Sequence, residues 1–140
     1  MFLRFACLAL ISLMSAQTAQ AEDPVRQAQA VITGQISAFV AEDAERAYSF
    51  ASPSIRSLYR SGSQFLAMVR KNYPAVYKPG NYAFGRSKLV GGGELVLQEV
   101  LISADEGKDW TAIYEMRLMD DGAYKVNGVR MTRNTSSQGI

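Results

Sequence analysis

Histidine is absent from the chain and cysteine occurs once, at Cys7. The first absence removes the side chain most often used for proton transfer at neutral pH and the commonest metal ligand. The second removes any internal disulfide. Charge of one sign is lacking too: 15 basic residues stand against 13 acidic ones, too even a balance to draw in nucleic acid over distance. Long apolar runs are missing. The one extended run, Phe5 to Met14, is about half of the roughly 20 residues that a membrane-spanning helix needs.

That run has the features of an export signal. Arg4 supplies a positive start, the apolar stretch follows, and Ala19-Gln20-Ala21 forms a small-x-small cleavage site ahead of Glu22-Asp23. The expectation is a cleaved segment 1–21, an extracytoplasmic setting (periplasmic or secreted), and a mature chain of 119 residues (140 minus 21) without Cys7. Cys7 lies too early in the run for lipid attachment. A domain of this size buries roughly 65% of its unfolded surface, enough for a core without cross-links.

Residues 22–133 read as one α+β domain, helices first and strands after, with residues 134–140 as a disordered tail. Asp23-Pro24 is a cap followed by proline, and Val25, Ala28, Ile32, Ile36, Phe39 and Val40 make one apolar stripe of a long helix. A break at Glu42-Asp43 leads into a short helix over 44–51, and Ser52-Pro53 repeats the cap signal. Ser61-Gly62-Ser63-Gln64 has capping-box spacing ahead of a further amphipathic helix that carries Phe65, Leu66, Met68, Val69 and Tyr73 and stops at Pro74.

From Tyr82 to Arg133 the pattern is a four-stranded antiparallel meander. Gly91-Gly92-Gly93, Asp105-Glu106-Gly107-Lys108 and Asp120-Asp121-Gly122 supply its turns. Neither a calcium loop nor a phosphate loop is spelled by these stretches, so no metal or cofactor is expected. Trp110, Ala112, Tyr114, Met116 and Leu118 alternate along the third strand and should face the helices. The second strand is apolar on both faces, with Val96, Gln98, Val100 and Ile102 on one and Leu95, Leu97 and Leu101 beside Glu99 on the other. Gly128 predicts a bulge and hence a curved sheet.

Three helices followed by a curved meander resemble the nuclear transport factor 2-like, cystatin-like cone. More narrowly, Phe65-Leu66-x-Met68-Val69-Arg70, then Tyr73, Val76-Tyr77 and Pro79, with Trp110 and Tyr114 later, resemble a family of uncharacterised secreted bacterial proteins, domain of unknown function 4864. The resemblance implies a fold and an export route, and it carries no catalytic residues over. Cone-fold isomerases, dehydratases and cyclases set Asp, His or Tyr between helices and sheet, and the absence of His sets this chain apart from them.

Tyrosine is the most suggestive residue type left. Tyr114 and Gln98 from the sheet, with Tyr48 and Tyr73 from the helices, are the expected lining of a pocket for a small apolar or amphipathic molecule. A phenol can stabilise an oxyanion, but no carboxylate falls where a general base is needed, so no catalytic residue is assigned. Arg70, Lys71, Lys78, Arg86 and Lys88 form a local basic concentration among Tyr73, Tyr77 and Tyr82, as expected of a solvated helix end and an edge strand. Leu95, Leu97, Leu101 and Ile113, with a Glu99–Arg117 cross-strand pair among them, predict an outer apolar face suited to a homodimer. Three functions follow in order: small-molecule binding, protein interaction through the sheet face, and a tyrosine/carboxylate isomerase, hydratase or cyclase.

Overall fold

A computed structural model describes residues 23–104 and 109–134. Residues 1–22, where the export segment is expected, residues 105–108, where a turn is expected, and residues 135–140 lie outside the described residues. The helices come first: α1 (Pro24–Val40), α2 (Ala44–Ser49), α3 (Pro53–Arg56), α4 (Gly62–Asn72) and the single turn α5 (Pro74–Tyr77). Strands β1 (Asn81–Val90), β2 (Leu95–Ser103), β3 (Asp109–Leu118) and β4 (Tyr124–Arg133) follow as one antiparallel sheet in the order β1-β2-β3-β4. This is the α+β arrangement expected, with helices packed on one face of a four-stranded sheet.

Helix α1 begins as its cap predicts, the Asp23 carboxylate accepting from the Val25 N–H at 2.9 Å. Ala28, Ile32, Ile36 and Phe39 are buried on the core side. Two positions depart from the stripe. Val40 is 54% exposed, because the helix ends there. Gln35 is buried instead, its Nε2 donating to the Ala47 carbonyl of α2 at 3.1 Å, so burial leaves that amide N–H paired.

The reversal after α1 is a Schellman turn. Asp43 N–H donates to Ala38 O at 2.9 Å and Glu42 N–H to Phe39 O at 3.0 Å, with Glu42 at φ +56°. Glycine usually occupies that position. Here the Glu42 carboxylate accepts from the Tyr77 hydroxyl at 2.5 Å and stands 3.8 Å from Lys78 Nζ, which ties the end of α1 to α5.

The remaining caps are local too. Ser52 Oγ accepts from Ile55 N–H at 3.3 Å and Ser61 Oγ from Gln64 N–H at 3.2 Å. The reciprocal half of the second cap shifts by one residue, with Gln64 Oε1 accepting from Arg60 N–H at 3.1 Å rather than from Ser61. Pro74 ends α4 and then opens α5, since a proline is admissible at the first position of a new turn.

In the sheet, Val96, Gln98, Val100 and Ile102 of β2 and Ala112, Tyr114 and Met116 of β3 are buried toward the helices. Leu118, at the end of the same row, is exposed. Gly91, Gly92 and Gly93 all take positive φ in the first hairpin tip. In the last, Asp121 accepts from Ala123 N–H at 2.9 Å beside Gly122 at φ +87°. Asn134, assigned above to the tail, still donates its N–H to Asp109 O at 2.9 Å, so pairing runs one residue past β4.

Two bulges bend this sheet. The expected one lies in β4: pairing passes from Glu115↔Gly128 to Met116↔Val126, leaving Asn127 as the extra residue. The other lies in β1, where Phe84↔Val100 is followed by Ser87↔Gln98 and one residue of Gly85-Arg86 is extra. Adjacent β2 side chains hold it from both faces. On the inner face Gln98 Nε2 reaches the Gly85 and Arg86 carbonyls, each at 3.3 Å, and the Glu99 carbonyl at 2.9 Å. Gln98 Oε1 accepts from Ser87 Oγ at 2.7 Å and Gln29 Nε2 at 3.2 Å.

On the outer face Glu99 accepts from Arg86 N–H at 3.1 Å and from its guanidinium at 3.1 Å. A Cβ on Gly85 would lie 2.9 Å from Glu99 Oε2 and 3.2 Å from its Cβ, so a larger residue there would push the Glu99 carboxylate off Arg86. The pairing corrects the expected Glu99–Arg117 contact. Register sets Glu99 opposite Ile113 and Arg117 opposite Leu95, and the Arg117 guanidinium lies 3.7 Å from Glu115 instead.

Both carboxylates that brace the ends of these elements titrate below the ordinary value of 4.5, Glu99 through hydrogen bonds from Arg86 and Glu42 chiefly through the Tyr77 hydroxyl. A depressed folded pKa contributes stability that is present above 4.5 and disappears as pH falls through the folded value. The melting temperature should therefore drop on acidification below about pH 4.5. Glu99→Gln should lower the neutral-pH melting temperature and flatten that acid limb, as checked by thermal denaturation across pH; an unchanged slope would refute the assignment to Glu99.

Candidate functional site

The segment from Phe50 to Arg60 decides where the interior opens. It is stitched to β4 only at its start: Val126 N–H donates to Phe50 O and Ser52 N–H to Val126 O, both at 2.9 Å. Pro53 then opens α3, and the Tyr48 hydroxyl of α2 holds the segment by the Arg56 and Tyr59 carbonyls before α4 begins. On the strand side, the extra residue Asn127 draws β4 out of regular pairing with β3. Between the departing segment and the bulged strand lies a cavity of about 290 Å³.

Three sets of side chains wall it. Gln35 and Phe39 of α1 and Phe65, Met68, Val69 and Tyr73 from α4 form one side, Ile55, Leu58 and Tyr59 a second, and Val126, Gly128 and Val129 of β4 the third. The polar side chains in this wall are two phenols and one amide. Among the described residues no carboxylate stands in it. Neither the Tyr59 nor the Tyr73 hydroxyl is hydrogen-bonded to another of the described residues. Each hydroxyl is open to water.

Of the four residues expected to line a pocket, Tyr73 stands in this wall and the other three do not. Tyr48 lies one ring behind it, 5.8 Å from the Phe65 ring. Its hydroxyl is shared between the Arg56 carbonyl at 2.9 Å and the Tyr59 carbonyl at 3.0 Å, so it anchors the segment that closes the cavity. Gln98 is consumed by the β1 bulge. Tyr114 is fully enclosed in the middle of the sheet and its hydroxyl has no partner. Burial, and secondarily the nearby Tyr82, pushes that phenol far above its ordinary value of 10, so it stays protonated.

The difference has a physical cause. Alternation tells which face of a strand is inward but not which stretch of that face the helices leave uncovered. Helix α1 crosses β2, where Gln29 reaches Gln98, and packs against β4 as well, and the opening lies between its Gln35–Phe39 end, α4 and β4. Tyr59, Phe65 and Met68 were legible as apolar or aromatic positions, and nothing in their spacing marked them as wall rather than core. Tyr124 was equally suggestive, and it serves the hairpin: its hydroxyl donates to Gly93 O at 2.5 Å.

The basic concentration is divided among separate tasks. Arg70 and Lys78 lie 5.3 and 5.5 Å from the centre of the Tyr77 ring. Arg86 is bound to Glu99 on the outer face of the sheet, near Lys88 and Arg130. Among the described residues no three His, Cys, Asp or Glu side chains cluster as metal ligands, and no helix is long and apolar enough to cross a membrane.

If Tyr48 anchors the closing segment, Tyr48→Phe should cost about 1 kcal/mol, the usual net value of such a hydrogen bond. It should also speed amide hydrogen exchange of Leu58 and Tyr59, whose N–H groups bond within the segment. Stability loss with unchanged exchange there would contradict that role.

Comparison with known proteins places the chain. A family model described as Domain of unknown function (DUF4864) matches residues 21–139. No curated protein and no solved structure matches. Because that match spans every described element from α1 to β4, the chain belongs to the DUF4864 family.

Proposed function

We propose that this domain binds a small apolar or amphipathic molecule in the cavity between α1, α4, the segment 53–60 and β4. The observation that carries the proposal is the apolar wall itself, enclosing about 290 Å³ with two unpaired phenols and an amide as its polar points. That volume is at the small end of ligand pockets, roughly 300 to 1,000 Å³. An apolar group entering it gains about 25 cal/mol for each Å² removed from water, while a phenol fixes orientation through one hydrogen bond. Tyr73 and Tyr59 are the proposed contacts. Tyr48, Gln98 and Tyr114 support the site from behind or belong to the core.

The nuclear transport factor 2-like cone is the fold reading that accompanies this proposal, supported by two bulges that curve the sheet around the helices. The extracytoplasmic setting rests on Arg4, the apolar run and Ala19-Gln20-Ala21. Gentle purification from the exported fraction followed by native mass spectrometry tests both location and binding. The expected result is a chain beginning at Glu22 that carries a reproducible added mass, and Met68→Trp, which fills the cavity, should be folded and free of it. A chain that retains residues 1–21 would refute export. Equal added mass in Met68→Trp would move the ligand out of this cavity.

A second reading concerns the outer sheet face. Leu101 is 44% exposed there, and Leu97 and Ile113 line shallow hollows edged by Arg86, Glu99, Glu115 and Arg130. Apolar side chains bordered by both charge signs suit an isologous contact with a second copy. Leu97→Lys combined with Leu101→Lys should then convert a dimer into a folded monomer in sedimentation experiments. An unchanged mass in solution would remove the sheet face as the interface.

A further inference from the structure

Gln35 is the one buried polar side chain in the cavity wall; Tyr59 and Tyr73 are only half-buried. Its amide is oriented by a single bond, Nε2 donating to the Ala47 carbonyl of α2 at 3.1 Å. Only the NH2 end of an amide can donate to a carbonyl, so the flip is determined and Oε1 is the end left over. That oxygen accepts from none of the described residues, and it is not sealed away either: the unpaired side-chain atoms closed off from water are Arg56 Nε and the Tyr114 hydroxyl. Since Gln35 as a whole is 2% exposed and stands in this wall, the open part of Oε1 faces the cavity.

The wall has a floor and a mouth. Phe39, Ala51, Phe65 and Val76 are buried, whereas Leu58 is 70% exposed although it lines the same cavity. Gln35, buried and tied to α2, belongs with the floor. Among the described residues no charged side chain stands in the wall. An ion carried to the floor would lose its water and meet no opposite charge in exchange. A wholly apolar group there would strip the Gln35 oxygen of water and give it no donor. A phenol both donates and accepts, so Tyr59 and Tyr73 suit either kind of polar group, but an amide oxygen only accepts.

We infer that the ligand of this cavity is neutral and carries a hydrogen-bond donor, a hydroxyl or an amide N–H, at the end that reaches the floor, where it donates to Gln35 Oε1. The inference rests on the ligand-binding reading above and adds the polarity and charge of the ligand to it. Gln35 then has a double role, holding α2 by its nitrogen and the ligand by its oxygen.

The test is calorimetric titration of the purified protein at neutral pH with 1-octanol, 2-octanone and octanoate, with Gln35→Met and Met68→Trp beside the wild type. The probes share a chain length, and their heads respectively donate, only accept, or are ionised. Wild type should bind 1-octanol roughly tenfold more tightly than either of the others, a difference of about 1.4 kcal/mol. Gln35→Met, which removes the acceptor and keeps the bulk, should bring octanol and octanone to parity, and Met68→Trp should bind neither. Octanone or octanoate bound as tightly as octanol by wild type, or the full octanol preference kept by Gln35→Met, would overturn the donor inference, while loss of binding in Met68→Trp would still uphold the cavity. Equal binding by wild type and Met68→Trp would overturn both, as would a wild type that binds none of the probes. Should Gln35→Met fail to fold, the wild-type comparison of alcohol with ketone still decides.

Discussion

The buried amide of Gln98 carries the curvature on which the rest of the domain depends. A sheet of four strands cannot wrap a layer of helices while staying regularly paired, and the extra residue in β1 has to be accommodated somewhere. Gln98 answers the freed carbonyls of Gly85 and Arg86 from inside while Glu99, its neighbour in sequence, answers the Arg86 N–H from outside. The same amide reaches Gln29 of α1, so the seat of the long helix and the bend of the sheet are set by one side chain. An apolar residue in its place would leave these part-buried carbonyls without the amide and release Gln29 of α1 as well.

The second bulge has a different consequence. Asn127 is extra in β4, and its side chain joins Ser52 on the helical side to Glu115 on the outer side, with Asn127 Oδ1 accepting from Ser52 Oγ at 2.8 Å and Nδ2 donating to Glu115 at 3.2 Å. Gly128 and Val129, next along the strand, line both the inner cavity and an outer hollow. The sheet is a single layer there. A ligand inside and a partner outside would press on the same two residues, a physical route by which the two proposed roles can be coupled.

Much of the architecture was legible because it is local. Asp23, Ser52 and Ser61 cap the helices that their positions announced, the glycine triplet 91–93 and Asp121-Gly122 turn two of the hairpins, and alternation in β2 and β3 assigned their inner faces. Reading failed where a side chain answers to something distant in sequence. Gln35 stands outside the apolar stripe of α1 and is buried because α2 brings the Ala47 carbonyl to it. Glu99 looked like a partner for Arg117 until the bulge brought Arg86 closer. Tyr114 and Gln98 shared the inner face with the cavity wall and yet lie under α1 or within the sheet centre.

Chain order, helix caps, turn chemistry and the two faces of each strand were properties of the sequence by itself, because each depends on residues within a few positions of one another. So was the lack of histidine, which no folding can repair. Where the interior stays open was decided only by tertiary structure. It depends on where α1 crosses the sheet, on the path of residues 53–60, and on the two bulges, so the cavity arises from packing between segments far apart in the chain.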